Sequence, residues 1–116
     1  MPLPDHEFAE ILAICPGATE HAEGGRSYVY LPKLRLPDGC EPSEVDALLW
    51  PQAGDGYSSR LYFATRVRPA GAVNTTPLNW NGSVLILERT WHAHSWRTPP
   101  GLRAAQMIAI HLRSLR

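Results

Sequence analysis

Two indoles and two imidazoles fall within WHAHSW, Trp91 to Trp96. His92 and His94 stand two apart, so an extended backbone aims both at one side, where they can share a metal ion or handle a proton. Zinc usually takes three or four protein ligands. A third would have to come from His6, His21, His111 or a thiol gathered by the fold. A hydrogen-bonded structural pair is the commoner outcome, and we expect neither metal nor cofactor; His94 stays a candidate acid or base. Nucleophilic catalysis needs a thiol or hydroxyl beside a base. Cys15 lies on an apolar helical stripe, the setting of an inert thiol. Cys40 follows the turn Pro37-Asp38-Gly39; exposure there would make it the candidate nucleophile, although no basic neighbour in sequence lowers its pKa. Ser83 follows Asn81-Gly82 and does not resemble a nucleophile elbow. Trp80, Trp91 and Trp96, with Trp50 earlier, are either an aromatic platform for a partner or core plugs. Core packing is the commoner role for Trp91 and Trp96, whereas Trp80, in a loop, is as apt to face a partner.

The elements that must hold these residues follow from periodicity and turn signals. PDHEFAEILAICPG predicts a short amphipathic helix, with Asp5 as N-cap and Phe8, Ile11, Leu12 and Cys15 on one face. Pro16-Gly17 ends it, and residues 18–25 read as a loop closing on Gly24-Gly25. RSYVYLPKLRL predicts a strand with Pro32 at an edge or bulge. SEVDALLW, stopped by Pro51, predicts a second. RLYFATRV alternates, with Leu61, Phe63, Thr65 and Val67 on one face and Tyr62, Ala64, Arg66 and Arg68 on the other. Arg66 and Arg68 therefore point outward, as a solvated face or a docking patch for an acidic surface. The irregular stretch Pro69 to Asn79 is long enough to suggest a functional loop. SVLILER predicts a fourth strand after Asn81-Gly82. The last helix has Thr98 as N-cap, Pro99 in its first turn and a stripe of Leu102, Ala105, Ile108, Ala109, Leu112 and Leu115. The expected fold is α+β: an N-terminal helix, a four-stranded antiparallel meander and a C-terminal helix.

The chain has 116 residues, 44% of them hydrophobic and 19% charged, which predicts one globular domain over 1–116 rather than a disordered segment. No apolar run approaches the roughly 20 residues of a membrane span. MPLPDHEF lacks the pattern of a signal peptide, so a cytoplasmic location is expected. Two cysteines are too few for a disulfide scaffold. The net charge is zero but unevenly spread, with ten acids and three bases in residues 1–59 and one acid and eight bases in 60–116. The halves can pair across the fold, face an acidic partner or meet in a homodimer. The basic half has no dense Lys/Arg cluster, which argues against a nucleic-acid partner.

Several ordered stretches carry a resemblance. FATRVRPA, Phe63 to Ala70, is similar to the third strand and His-Pro-Asn tripeptide of the ubiquitin-conjugating superfamily, with Pro69 matching the proline. NGSVLIL resembles its Asn-Gly-x-(Ile/Val)-Cys-Leu strand, and Trp91 resembles the tryptophan that follows. LPDGC…EVDALLWP, then Trp91, His94, Trp96 and Pro100-Gly101, resemble more closely the prokaryotic family E of that superfamily. The likeness covers roughly residues 26–116. It implies a ubiquitin-conjugating-like fold and, as partners, a ubiquitin-like modifier, an adenylating activating enzyme and a JAB-type peptidase, in a system linked to antiphage defence. The departures are equally specific: Leu85 stands where the thioester cysteine would be, while Arg68 and Ala70 stand near the tripeptide's histidine and asparagine. Without that thiol the usual transthiolation is closed to the chain. The expectation is a protein that binds modifier or activating enzyme without a thioester of its own, through Arg66, Arg68, Trp80, Trp91, His94, Trp96 and the Pro69–Asn79 loop. The alternatives are an enzyme using Cys40 or His94, and a plain binding or oligomerisation module.

Overall fold

The computed structural model describes residues 3–51, 59–68, 80–94, 98–113 and 115. In chain order these form α1 (Asp5–Ile14), β1 (Thr19–Glu23), β2 (Arg26–Arg35), β3 (Glu44–Trp50), β4 (Arg60–Phe63), β5 (Trp80–Ile86), β6 (Arg89–His94) and α2 (Ala104–Arg113). The strands make one antiparallel sheet in the order β1-β2-β3-β4-β6-β5. The fold is thus α+β with helices α1 and α2 flanking the strands, but among the described residues the sheet has six strands and not four. The fourth expected strand, now β5, does not continue the meander: β6 lies between it and β4, so β5 forms a sheet edge.

Both unexpected strands come from tight hairpins. β1 occupies the expected loop at 18–25 and turns through Gly24 and Gly25, at φ of 60° and 80°. Glu23 pairs directly with Arg26, leaving the two-residue turn that needs positive φ at both positions. The second hairpin joins β5 to β6 through Leu87 and Glu88, also at positive φ (52° and 62°), with Ile86 opposite Arg89. A left-handed conformation costs an ordinary L-residue about 1–2 kcal/mol, so neighbouring contacts must hold this turn. Leu87 N–H donates to Glu23 Oε2 at 2.8 Å, tying the last hairpin to β1. The sheet is curled enough to bring its first strand against the turn of its last hairpin.

The two faces bury different cores. On one, α1 and α2 cover Ile11, Val29, Leu31, Leu49, Phe63, Ile108 and their neighbours. On the other, Tyr28, Leu48, Trp50, Tyr62, Ile86, Trp91 and Ala93 cluster. β3 and β4 are buried on both faces, which overturns the expected outward face of the third strand: Tyr62 is buried. That strand ends at Phe63, so Arg66 and Arg68 lie beyond it. Pro32 and Lys33 oppose Asp46 in a β-bulge, where Lys33 has φ 50°. Asp46 Oδ1 accepts the Lys33 N–H at 2.9 Å. A Cβ at Gly17 would meet Pro32 Cγ at 3.0 Å, so glycine lets the chain pass this ring without displacing it.

Helix boundaries also moved. Pro4, not Asp5, is the N-cap of α1, and its carbonyl accepts from Glu7 and Phe8 N–H, both at 3.0 Å. Asp5 and Glu7 sit in the first turn, where the helix dipole favours them. α2 starts five residues beyond the expected Pro99. Its opening N–H groups are met by carboxylate and amide oxygens: Gln106 Oε1 takes Arg103 N–H (2.9 Å), and Glu7 Oε1 from α1 takes Ala104 N–H (3.1 Å). Arg103 Nε then pairs with Glu10 at 3.0 Å, fixing the helix pair. Ala104, Ile108, His111 and Leu115 are the buried positions of this segment, a stripe rotated from the expected one that leaves Ala109 exposed.

Arg103–Glu10, Arg89–Asp46 and Arg68–Glu41 each join a base of residues 60–116 to an acid of 1–59. The charge asymmetry of the sequence is thus used, at least in part, within the chain.

Candidate functional site

The thiols come first, because a covalent mechanism depends on them. Cys40 is buried, not exposed after its turn, and its Sγ donates to Leu115 O at 3.4 Å. Cys15 is buried and donates to Pro32 O at 3.2 Å; burial pushes its pKa up, away from a reactive thiolate. Leu85, by contrast, is 69% exposed on the edge strand β5. The surface therefore offers a leucine at the position of interest, and both thiols are withdrawn.

Trp91 takes the core role, the commoner of the two expected of it, and is not exposed to a partner in the chain as it stands. It is 1% exposed, its indole Nε1 donates to Ile86 O at 3.0 Å, and the edge of Tyr30 packs against it. Arg89 covers it, with Cζ 5.0 Å from the ring centroid. Trp50 is likewise buried, beneath the Arg26 guanidinium at 4.6 Å. Trp96 and the Pro69–Asn79 loop lie outside the described residues. Trp80 opens β5 and His94 closes β6, opposite each other in the ladder. His92 opposes Phe63 and Ser83, and its Nδ1 is 3.2 Å from Ser83 Oγ. His21 contacts Thr19 through Nε2 at 2.8 Å, and His111 is held elsewhere, so the candidate third ligands do not gather at His92. Among the described residues no group of three metal-binding side chains comes together. Arg66 is exposed; Arg68 is exposed too, but its backbone exchanges hydrogen bonds of 2.8 and 3.0 Å with Glu41.

Two features were not anticipated from the sequence. Ser59 Oγ lies 2.8 Å from Thr98 Oγ1 and 2.9 Å from His111 Nε2. A serine hydroxyl beside an imidazole has the geometry of a nucleophile and its base. Here all three side chains are buried, Ser59 completely, so the hydroxyl is closed to substrates and the cluster pins the start of β4 to α2. The other feature is a cleft of about 500 Å³ between β1–β2 and the β5–β6 turn. His21, Glu23 and Tyr30 line one side and Leu87, Glu88 and Arg89 the other, with Trp91 at the base. Its volume falls in the range of ligand pockets. The left-handed pair Leu87-Glu88 borders it, and strained non-glycine residues concentrate at functional sites.

Arg89 is fixed at the cleft by Asp46 Oδ2 at 3.0 Å and Tyr30 Oη at 3.4 Å. The Lys33 N–H bond, and then Arg89, hold the Asp46 carboxyl below its ordinary value against the opposing effect of burial. A depressed carboxylate pKa stabilises the fold above the unfolded value, and the contribution disappears as pH falls through the folded one. Asp46→Asn should therefore lower stability by a constant amount above about pH 5, and the difference from the parent should shrink below about pH 4. Urea unfolding at a series of pH values measures it.

Among the described residues no helix is long and apolar enough to cross a membrane. No family model, no curated protein and no solved structure matches the chain.

Proposed function

We propose that the chain is a binding protein with the outline of a ubiquitin-conjugating domain and no thioester chemistry of its own. It would engage a ubiquitin-like modifier or an adenylating activating enzyme, in a bacterial modification system that includes a JAB-type peptidase and serves antiphage defence. What supports the reading is one observation. The position that resembles the thioester cysteine holds the exposed Leu85, while Cys15 and Cys40 are both buried and hydrogen-bonded. A thioester on Cys40 would require lifting the Leu115 segment away from its sulfur, which disfavours the relocated-nucleophile alternative. The helix, the β1–β4 meander and the C-terminal helix are compatible with the likeness in outline. Arg66 is an exposed cation for an acidic partner surface, and Arg68 beside it is exposed but shared with Glu41 at 3.9 Å.

The test is co-purification of the intact chain with the products of the genes on either side of its own. Stable co-elution with a modifier or an adenylating enzyme is the expected result. Failure to bind any of them would sink the reading.

A further inference from the structure

β1 is the sheet edge opposite β5, and all five of its residues are exposed. Among the described residues no strand lies beyond it. An edge of this kind presents unpaired backbone groups and templates the addition of another strand. Two clefts flank it and share His21: the 500 Å³ cleft, which reaches Glu23 and Glu88, and a second of about 200 Å³ lined by Glu20, His21, Ala22 and Ser27.

The charges select what can be added. Glu20 accepts Leu3 N–H and Glu23 accepts Leu87 N–H, and among the described residues no ion pair engages either carboxylate. Of the nearby cations, Arg89 pairs with Asp46, and Arg26, opposite Glu23 in the ladder, lies over Trp50. A second copy pairing through β1 would bring like charges together, which is unfavourable between facing strands. A strand carrying Lys or Arg would meet opposite charge on both faces. We propose that β1 is a docking edge for an extended basic segment of a partner protein, which adds as a seventh strand and sets two cationic side chains, three positions apart and so on opposite faces, into the two clefts beside Glu20 and Glu23. The proposal rests on the reading of the chain as a binding protein but not on its likeness to conjugating enzymes.

The experiment is an amide NMR titration of the full chain with a capped peptide of about six residues, Val and Thr with Lys at the second and fifth positions. Controls are the same peptide with Glu for Lys and a basic peptide N-methylated at alternate residues. Saturable shifts at residues 19–23, with slowed amide exchange in β1, are expected from the basic peptide alone. Its affinity should weaken about five- to tenfold in the double variant Glu20→Gln, Glu23→Gln, which keeps the acceptor oxygens, and should fall with added salt. If that variant fails to fold, the N-methylated peptide still decides, since strand addition requires its missing N–H groups. Absence of β1 shifts, equal binding of the acidic or N-methylated peptide, or dimerisation of the chain through β1 would overturn the proposal. Because no neighbouring gene product is used, its failure is distinguishable from failure of the co-purification.

Discussion

Trp91→Ala is expected to cost about 3–5 kcal/mol of folding free energy, a large part of what a small domain has in total. Trp91 is among the largest fully buried side chains, set in the cluster of Tyr28, Leu48, Tyr62, Ile86 and Ala93. Truncation removes its buried area, leaves a cavity that the sheet can only partly close, and strips Ile86 O of the indole N–H. It also removes the surface over which Arg89 lies, loosening the Arg89–Asp46 pair beside the cleft. Thermal unfolding should show a fall in Tm of more than about 10 °C. Leu85→Ala supplies the contrast. Its side chain is largely exposed, so the change should stay within about 0.5 kcal/mol. Equal effects at the two positions would contradict the assignment of Trp91 to the core and Leu85 to the surface.

The second large effect is expected at the buried polar pin. Ser59→Ala withdraws the hydroxyl that meets both Thr98 and His111, leaving buried polar atoms short of a partner at a cost of about 1–3 kcal/mol. His111→Leu tests the same contact from the helix, and the double variant closes a thermodynamic cycle. The coupling should lie between about 0.5 and 3 kcal/mol, because the two side chains touch within one network. Denaturant unfolding of the four proteins measures it. Additive single effects would mean that the contact between the start of β4 and α2 carries no net stability.

How legible these features were depends on how local their causes are. α1, β2 and β3 were readable because a few neighbouring residues define their periodicity and stops, such as Pro16-Gly17 and the Pro37-Asp38-Gly39 turn. β1 carried a signal that was misread: Gly24-Gly25 between two short runs is a hairpin turn. The β5–β6 hairpin carried none. Leu87 and Glu88 adopt positive φ against their own preference, held partly by a bond to Glu23, 64 residues away. That single turn ends the expected strand SVLILER at Ile86 and sends the chain back as β6, which seats Trp91 in the core. The amphipathic stripe of α2 was rotated because His111 is buried through Ser59, a partner 52 positions away. The reach of β4 is overestimated because the alternation of RLYFATRV runs on past Phe63, where the ladder ends and the chain bends at Ala64-Thr65. The cleft combines residues of the sheet's first strand with those of its last hairpin, and only the curl of the sheet unites them. Of the proposed site, Leu85 and the two thiols could be located in the sequence, but their exposure required the fold.

The central claim, binding without covalent transfer, is tested most directly by a charging reaction. The chain is incubated with ATP and the neighbouring activating enzyme and modifier, quenched without reductant and resolved by mass. The account predicts no DTT-sensitive adduct on the chain, even where the activating enzyme is itself charged. A DTT-sensitive adduct that is lost in Cys40→Ser would contradict it.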